Sequence, residues 1–525
     1  MTVALDRRRG SSPRRARSGR NEIRMAYGPK SLEEVLAGIE GAAGSGPSNA
    51  SVTSVACDSR KVIPGALFFA LPGEKIDGNR FVRDALAAGA TSVASAEPRP
   101  LGLAEEISWI QLRTGQERRA LARAASNFFD HPSGALKLVG VTGTNGKTTT
   151  TFLVDSIVRA AGFISGLVGT TGYRTPRATR QAPNTTPESL DLQEMFAEIR
   201  DAGGTHAVLE VSSHALAMDR VWGCHFTAAV FTNLTHDHLN FHKTFEDYFA
   251  AKRRLFEGTG AGAPDVAVVN SDDPYAARLQ ALAPRTLTYG LKGSPDLTTK
   301  KFSLGFGGLE FVALTPAGKI EIRSRLVGRI NVYNILSAVG AAIALGISNA
   351  KIEQGVAELE LVSGRFQQID EGQPFHVVVD YAHADDALRN LITTARELNP
   401  SGRIITLFGA GGERDRSTRP LMGEAAGSLS DLVILTDDNP RKEDPLRIMN
   451  DVVVGLQKVN ARYQIEPDRE AAIAKAVDEA QPGDILLLAG KGHENCQILA
   501  DRTLDFDDRE VVRAILRRKG YSKRT

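Results

Sequence analysis

The residues with the clearest chemical meaning form a glycine-rich segment, GVTGTNGKTTT, at positions 140–150. The segment follows the apolar run 136–139 and precedes a helix-patterned stretch, TFLVDSIVRAAG. Backbone N–H groups and a helix N-terminus in such a strand–loop–helix arrangement bind phosphate, Lys147 suits β- and γ-phosphates, and the Thr148 hydroxyl suits Mg²⁺. The common G-x-x-x-x-G-K-[ST] spacing needs glycine at 141, where this chain has Val141. The segment therefore predicts a nucleotide phosphate site of variant spacing.

Two further segments could hold a divalent cation. Glu210 ends the apolar run HAVLE, and the segment FTNLTHDHLNFH at 231–242 contains Asp237 with His236, His238 and His242. Carboxylates and imidazoles at strand ends are ordinary metal ligands, although a polar loop with surface histidines has the same pattern.

Lys252 lies in FEDYFAAKRRLF, a pattern with an amphipathic helical spacing. Phe249, Leu255 and Phe256 supply an apolar face, and the run Lys252–Arg254 is typical of the opposite, solvated face. The pattern alone therefore places Lys252 in solvent.

Three polar clusters follow apolar runs near the C-terminus: GAGGERDRSTRP at 409–420, TDDNPRKEDP at 436–445 and GKGHE at 490–494. Arg414 and Arg441 provide planar guanidinium groups of the kind that bind carboxylate and phosphate, and Glu494 can accept hydrogen bonds from an ammonium. Each cluster alone could be an ordinary loop. Three of them at successive strand ends favour a binding site.

The elements that must position these residues read as an α/β protein. Near-continuous apolar strands alternate with helical patterns, which indicates parallel sheets covered on both faces. Ligands of such sheets bind beyond the carboxyl ends of the strands, where the polar clusters stand.

Composition sets broad limits. The 525 residues predict several domains, and the 42% hydrophobic and 24% charged residues are ordinary for a globular protein. No apolar run has the length of a membrane span, and the three cysteines show no paired spacing, so we expect a protein of the reducing cytoplasm without membrane insertion.

The net charge of +2 is unevenly distributed. Residues 1–30 carry nine Lys/Arg against two acids, a net +7, so the remainder carries −5. Such a tail could be a nucleic-acid arm, a membrane arm or a transit-like segment. We favour a disordered basic extension, arising from a start assigned upstream of Met25, and expect no nucleic-acid partner.

Together the motifs resemble those of the Mur ligases of peptidoglycan synthesis, ATP-dependent amide-forming enzymes. TGTNGKT is similar to the family's phosphate loop and accounts for Val141. DSRKVIPGALFFALPG with DGNRF resembles the family's N-terminal uridine-binding domain, and NTTPES, EVSSH and TNLTHDHL resemble its central domain. The resemblance covers about 31–520.

The resemblance implies a three-domain α/β fold. The N-terminal domain at 31–134 is expected to bind UDP, and the domain at 135–362 to contain a P-loop ATPase-like parallel sheet that binds ATP. The C-terminal domain at 363–525, with a Rossmann-like sheet, is expected to bind the incoming amino acid.

The resemblance also assigns roles by position. It implies that Thr148, Glu210, His238 and a carbamylated Lys252 serve Mg²⁺, which reverses the solvated placement of Lys252, and that Lys147, Lys252 and His238 are catalytic. The implied ATP-binding residues are Gly143, Thr144, Asn145, Gly146, Lys147, Thr148, Thr149, Asn334, Arg365 and Asp380. The implied UDP-muramoyl-dipeptide-binding residues are Ser59, Asn184, Thr185, Thr186, Ser212 and Arg220. The implied diaminopimelate-binding residues are Arg414, Asp438, Asn439, Arg441, Gly490 and Glu494.

The implied activity is addition of meso-diaminopimelate to UDP-N-acetylmuramoyl-L-alanyl-D-glutamate through an acyl-phosphate, by a monomer acting on small molecules. Diaminopimelate has a second carboxylate that lysine lacks, and the DNPR sequence ending in Arg441 resembles the diaminopimelate form. A lysine-adding enzyme of the same family is the alternative. A folylpolyglutamate-type ligase, a non-catalytic or nucleic-acid-associated homologue and a phosphohydrolase are more distant ones.

Three positions depart from the family pattern. YAHAD stands at 381–385 where YAHTP is usual, Ser363 replaces a proline before GRF, and Met218 occupies a position that is often polar.

Overall fold

The computed structural model describes residues 27–47, 49–73 and 76–523. Of the expected basic extension at 1–30, residues 1–26 lie outside the described residues. Tyr27 packs edge-on against Phe129, with ring centroids 5.3 Å apart, and Lys30 begins a short strand that pairs with Ser51–Val52. Residues 27–30 therefore pack with the N-terminal part of the chain and are not a separate extension.

The N-terminal part of the chain folds around a five-stranded sheet. In spatial order its strands are Ala43–Ser45, Ser108–Gln111, Ala90–Ser95, Ala66–Phe69 and Ser54–Ala56. The last four are parallel, and the edge strand Ala43–Ser45 is antiparallel. The helices of this part are Leu32–Leu36, Val82–Ala87 and Glu117–Phe128.

An eight-stranded sheet forms the centre of the molecule. In spatial order its strands are Thr179–Arg180, Gly172–Arg174, Ser165–Gly169, His206–Glu210, Lys137–Thr142, Ala228–Phe231, Val266–Asn270 and Arg285–Tyr289. The last six are parallel, and the first two form an antiparallel hairpin at one edge.

Helices cover both faces of the central sheet because successive side chains of its strands alternate between two apolar cores. Val139 and Val141 pack with Leu153 of the helix after the phosphate loop, whereas Leu138 packs with Phe196 on the opposite face. The helices of this region are Lys147–Ala160, Ser189–Asp201, Ser213–Ala217, Leu239–His242, Phe245–Glu257, Ile330–Ala344 and Asn349–Glu358. A three-stranded antiparallel sheet, Phe302–Gly305, Gly308–Thr315 and Gly318–Ser324, packs against the first of these cores.

The C-terminal part contains a six-stranded sheet. In spatial order its strands are Gln367–Ile369, His376–Asp380, Ile485–Ala489, Ile404–Phe408, Leu432–Leu435 and Tyr463–Ile465, all parallel except the first. Its helices are Asp385–Leu398, Thr418–Leu429, Pro445–Lys458, Arg469–Glu479 and Asp508–Arg518. A hairpin, Cys496–Ile498 with Thr503–Asp505, follows the strand Ile485–Ala489.

This architecture confirms the predicted α/β class with parallel-rich sheets in several domains. The strand that leads into the phosphate loop, Lys137–Thr142, lies between His206–Glu210 and Ala228–Phe231. The loop is therefore flanked by Glu210 on one side and by the histidine-rich segment after Phe231 on the other. Among the described residues no helix is both long and apolar enough to cross a bilayer.

A fully buried ion pair connects four elements of the C-terminal sheet. Arg469 donates through Nε and Nη2 to the two carboxylate oxygens of Asp508 at 2.8 and 2.7 Å, and both side chains are 0% exposed. The same guanidinium donates to the carbonyl oxygens of Asp437 and Ala489, both at 3.0 Å. The pair therefore holds the ends of two strands beside two helices.

We expect Asp508→Asn to lower the free energy of unfolding of the C-terminal domain by about 3–5 kcal/mol, because it leaves the buried Arg469 without its counter-charge. Asp501→Asn is the matched control, since Asp501 pairs with Arg502 at the surface and both side chains are more than 60% exposed. Urea denaturation followed by circular dichroism measures both effects. Equal changes in the two variants would contradict the role given to the buried pair.

Candidate active site

A single cavity of about 1080 Å³ lies beyond the carboxyl ends of the central and C-terminal strands. It collects most of the residues implied by the sequence. The implied ATP-binding residues that line it are Thr144, Asn145, Gly146, Lys147, Thr148, Thr149, Asn334, Arg365 and Asp380. The residues implied for the metal, the UDP-muramoyl dipeptide and diaminopimelate that line it are Asn184, Thr185, Ser212, Arg220, Glu210, His238, Arg414, Asp438, Asn439, Arg441, Gly490 and Glu494. Gly143, Thr186 and Lys252 lie behind this lining, and Ser59 lies apart from it in the N-terminal part.

The backbone of the phosphate loop explains which of its positions are glycine. Gly143 and Gly146 have φ angles of +143° and +88°. A Cβ at Gly143 would lie 1.8 Å from Thr232 Oγ1, and one at Gly146 would lie 2.4 Å from Asn334 Oδ1. Val141, in contrast, is still a buried residue of the strand, 0% exposed, and needs no unusual backbone. The bend begins only after Thr142, which accounts for the variant spacing.

Lys147 folds back over the loop that precedes it. Its Nζ donates to the carbonyl oxygens of Gly143 at 3.0 Å and Thr144 at 2.8 Å. Burial lowers the pKa of Lys147, while the nearby carboxylates of Glu210 and Asp237 act in the opposite direction. The lysine is positioned beside the cradle that a triphosphate would occupy.

Lys252 is buried, so the solvated placement drawn from its helical pattern is wrong. Its side chain is 1% exposed, its Nζ donates to the Gly143 carbonyl at 2.7 Å, and the ammonium lies 4.3 Å from the centroid of the Tyr248 ring. Burial, with a further contribution from the charge of Lys147, holds the pKa of Lys252 well below its usual value. The environment therefore favours the neutral amine.

Two of the residues implied for Mg²⁺, Thr148 and Glu210, line the cavity with oxygen atoms. Glu210, 1% exposed, accepts from the backbone N–H of Thr170 at 2.9 Å and from its hydroxyl at 3.1 Å. A Cβ at Gly169 would lie 2.3 Å from Glu210 Oε1, so glycine is required there. Thr148 and Glu210 supply oxygen atoms of the type that Mg²⁺ prefers. Among the described residues no group of three His, Cys, Asp or Glu side chains has metal-binding geometry, so a complete site needs Thr148 or Lys252 as well.

His238 adds an imidazole to this region. It follows Asp237, whose carboxylate accepts from the His238 backbone N–H at 2.8 Å. Burial lowers the pKa of His238 to about 3, against the opposing effect of Asp237, and a neutral imidazole is the form that ligates metals.

Arg365 and Asp380, from the C-terminal part of the chain, line the same cavity as the phosphate loop. Arg365 Nη2 donates to Thr148 Oγ1 at 3.2 Å, and the guanidinium lies 4.8 Å from the Tyr381 ring centroid. Its Nε is buried without a hydrogen-bond partner. Asp380 accepts from the backbone N–H groups of Phe366 at 2.6 Å and Ala382 at 2.8 Å, and burial raises its pKa.

A second group of predicted residues lies on the other side of Glu210. Thr186 Oγ1 donates to the Glu210 carbonyl at 2.8 Å, and Ser212 N donates to Thr186 Oγ1 at 3.1 Å. Arg220 donates to the Thr186 carbonyl at 2.9 Å and to the Met218 sulfur at 3.5 Å, and its Nε forms no hydrogen bond but lies in an ion pair 3.9 Å from Glu188 Oε2. Thr185 reaches Thr170 at 3.1 Å between the two hydroxyls.

The third group lies beyond the strands of the C-terminal sheet. Asn439 Nδ2 donates to Glu494 Oε2 at 2.8 Å, and Gly490, with φ +110°, allows Asp438 Oδ2 to approach to 2.9 Å of where a Cβ would stand. Arg441 donates to the carbonyl oxygens of Gly412 at 2.7 Å and Asn439 at 3.4 Å. No carboxylate of the described residues forms an ion pair with Arg441, so the rest of its guanidinium faces the cavity.

Several site residues were not singled out from the sequence. Asp386 accepts from Asn145 Nδ2 at 2.8 Å and so joins the C-terminal domain to the phosphate loop. The His493 ring lies 4.9 Å from the Tyr381 ring, and its Nδ1 is buried without a partner. Tyr381 and His493 belong to the quoted segments YAHAD and GKGHE, whose polar residues could have been nominated together.

The site is that of an ATP-using enzyme, in which a Gly-Lys-Thr phosphate loop and a cluster of charged side chains from the C-terminal part of the chain line the same cavity. Models of three Mur ligase domains match the chain: a family catalytic domain over 51–129, a middle domain over 141–342 and a glutamate ligase domain over 364–492. A UDP-N-acetylmuramoyl-L-alanyl-D-glutamate–2,6-diaminopimelate ligase of Solibacter usitatus is 54% identical over 472 residues, 90% of this chain and 94% of the relative. The chain belongs to the Mur ligase family.

Other relatives agree over the same length. A ligase of the same name from Geobacillus thermodenitrificans is 42% identical over 476 residues, 90% of this chain and 96% of the relative. A solved structure of an enzyme of that name is 33% identical, with a TM-score of 0.64 over 94% of this chain and all of that chain. A folylpolyglutamate synthase of Mycobacterium tuberculosis shares the fold at 16% identity and a TM-score of 0.57 over 77% of this chain and 95% of that one.

We expect Lys147→Met to abolish ATP-dependent phosphate release and to weaken ATP binding by at least about 10-fold, because a single charged contact to phosphate contributes more than 1.4 kcal/mol. Lys137→Met is the matched control, since Lys137 is exposed at the start of the strand that leads into the loop. Isothermal titration with a non-hydrolysable ATP analogue measures binding, and phosphate release measures turnover. Retained turnover in Lys147→Met would contradict the placement of phosphate.

Proposed function

We propose that the chain is an ATP-dependent amide ligase that adds meso-diaminopimelate to UDP-N-acetylmuramoyl-L-alanyl-D-glutamate in peptidoglycan precursor synthesis. The observation that carries the proposal is one cavity that joins a phosphate loop to the guanidinium of Arg441, which has no carboxylate partner among the described residues. Relatives with this name cover nine-tenths of the chain, and their names support the same reaction. Consumption of ATP favours the cytoplasm as the compartment, and a site composed of one chain suits a monomer.

The three parts of the chain divide the work in this proposal. Residues 31–134, with Ser59, bind the UDP end of the first substrate, and 135–362 bind ATP and the muramoyl dipeptide through Asn184, Thr185, Thr186, Ser212 and Arg220. Residues 363–525 bind the amino acid. The proposed ATP contacts are the loop Gly143–Thr149 with Asn334, Arg365 and Asp380, all within or directly behind the cavity lining.

The reaction has two steps. The substrate's carboxylate attacks the γ-phosphorus of ATP and gives an acyl-phosphate and ADP, while Lys147 and Arg365 offset the charge on the phosphoryl oxygens. The amine of diaminopimelate then attacks the acyl carbon, phosphate leaves, and the amine loses a proton. The Arg365–Thr148 and Asp386–Asn145 contacts hold the two domains together over the site, which limits access of water to the acyl-phosphate.

Mg²⁺ is the proposed cation, with Thr148, Glu210, His238 and Lys252 as the residues that would hold it. It would neutralise phosphate charge when bound. Lys252 can help to bind a cation only after its side chain becomes negatively charged. Its buried neutral amine attacks CO₂, a C–N bond forms and a proton leaves, and the resulting carbamate is an anion.

Specificity for diaminopimelate rests on the distal carboxylate. Arg441 and Arg414 both lie close to Gly411, with Arg441 Nη1 and Arg414 Cγ within 3.4 Å of where its Cβ would be. Asp438, Asn439, Gly490 and Glu494 complete the proposed pocket and offer acceptors for an ammonium. Lysine would leave the Arg441 fork unpaired inside the pocket, so the lysine-adding alternative is less favoured.

Phosphate release with the UDP-muramoyl dipeptide tests the function directly. We expect it to require meso-diaminopimelate and to be at least about 100-fold less efficient with lysine, because a buried polar group is left unpaired. Arg441→Asn should raise the KM for diaminopimelate strongly and leave the KM for ATP unchanged.

Arg447→Asn serves as the matched control for Arg441→Asn, because Arg447 is 83% exposed and forms an ion pair with Asp444 at 3.8 Å. Equal use of lysine would favour the alternative ligase. Equal losses for ATP and diaminopimelate in Arg441→Asn would remove the basis for the specificity assignment.

We expect Lys252→Ala to be inactive and to regain part of its activity in a small carboxylic acid such as acetate or formate. The acid would supply the anion that the carbamate supplies in the wild type. The same acid added to Lys147→Met is the control, since Lys147 acts as a cation and an anion cannot replace it. A folded Lys252→Ala protein without any rescue would argue against carbamylation.

A further inference from the structure

Lys491, the second residue of GKGHE, is a buried cation immediately behind the amino-acid pocket. Its side chain is 0% exposed, and it does not line the cavity that Gly490 and Glu494 line. The assigned roles above do not use it.

The ammonium of Lys491 has a partner for each of its three N–H groups. It donates to the Cys496 carbonyl at 2.6 Å, to Glu494 Oε2 at 3.2 Å and to Asn439 Oδ1 at 3.3 Å. Since a lysine ammonium has three donors, none remains for a ligand. Lys491 therefore acts on its neighbours and does not bind a substrate itself.

These contacts determine how two pocket residues face the cavity. Asn439 Oδ1 accepts from Lys491 and from Ile498 N, the latter at 2.9 Å. These two donors orient the amide so that its oxygen faces Lys491 and its Nδ2 donates to Glu494. Glu494 Oε2 accepts from both Lys491 and Asn439. Glu494 Oε1 has no hydrogen bond to any other described residue and is free to accept from a ligand.

The charges of the pocket need a cation at this place. Asp438 lies 3.8 Å from Lys491, measured from Oδ1 to Nζ, and that oxygen is buried without a hydrogen bond. Burial raises the pKa of Asp438, Glu494 adds to the rise, and the charges of Arg469 and Lys491 oppose it. Without Lys491, Asp438 and Glu494 would lose the one cation that lies within 4 Å of both carboxylates among the described residues.

We propose that Lys491 is a positioning residue of the amino-acid pocket. It fixes the orientations of Glu494 and Asn439 and keeps the carboxylates of Asp438 and Glu494 available to an ammonium of the incoming amino acid. The proposal rests on the proposed function for the identity of that amino acid.

Lys491→Met removes the charge and keeps the length of the side chain. We expect the KM for diaminopimelate to rise about 10–100-fold, as misplacement of a binding group by about 1 Å does, while the KM values for ATP and the UDP-muramoyl dipeptide change less than about 2-fold. Lys458→Met is the matched control, because Lys458 pairs with Glu424 at the surface of the same domain and is 67% exposed. It should leave all three KM values unchanged.

A double variant separates positioning from stability. Glu494→Gln removes the carboxylate that Lys491 orients and also the charge that Lys491→Met would strand, so Lys491→Met/Glu494→Gln remains testable if the single lysine variant fails to fold. We expect its KM for diaminopimelate to match that of Glu494→Gln within about 3-fold, because residues acting through one another are not additive. Multiplied losses would overturn the proposal, as would a rise of all three KM values together in Lys491→Met. Failure of the wild type to use diaminopimelate would instead refute the proposed function.

Discussion

Two lysines donate to one carbonyl oxygen at the bend of the phosphate loop, and the site is organised around this contact. Lys147 and Lys252 lie 3.0 and 2.7 Å from Gly143 O, one from the helix after the loop and the other from a helix about a hundred residues later. Two ammonium groups that share one carbonyl oxygen repel each other when they are buried. Burial lowers the pKa of both lysines, and the charge of Lys147 lowers that of Lys252 further. The electrostatic repulsion between the two lysines is removed if one of them is neutral, and it becomes attraction if one is converted to an anion. The proposed carbamate is the second solution, and it turns a repulsive pair into an attractive one.

Glu210, an acid whose charge acts on Lys147, is also buried. Glu210 is 1% exposed and receives two hydrogen bonds from Thr170, so it stays in place without a surface ion pair. It lies at the end of the strand adjacent to the phosphate loop, where a parallel sheet brings neighbouring strand ends together. Two residues of the C-terminal domain contact the loop region, Arg365 at Thr148 and Asp386 at Asn145. A triphosphate in the cradle would therefore contact both domains, which links ATP binding to the position of the amino-acid pocket.

The sequence was sufficient for the features that depend on local pattern. The strand before the phosphate loop, the glycines at 143 and 146 and the α/β class follow from apolar runs and turn residues, and the structure confirms them. Lys252 shows the limit of such patterns: helical periodicity placed it in solvent, and only the packing of its helix against the loop buries it. Asp386 and Lys491 were not found because their roles arise from partners 241 and 52 residues away, at Asn145 and Asn439. Hydrogen bonds between distant segments leave no periodic signal.

Ser363 and Asp385, two of the positions that depart from the family pattern, have a local physical explanation. Ser363 accepts a hydrogen bond from Arg509, whose Nη2 also reaches the His493 carbonyl at 3.3 Å, so the hydroxyl joins the domain connection to the GKGHE loop. Asp385 is the first residue of the helix Asp385–Leu398, a position that suits proline, which lacks an N–H, and equally an acid, which offsets the helix dipole.

Met218 offers its sulfur to Arg220 at 3.5 Å, a weak acceptor where a polar side chain would bind more strongly. The guanidinium keeps its contact with the Thr186 carbonyl at 2.9 Å, and its Nε lies in an ion pair 3.9 Å from Glu188 Oε2. The departure at 218 therefore changes how strongly Arg220 is held and leaves the phosphate loop, Glu210 and Arg441 untouched, so the same chemistry remains open to the chain.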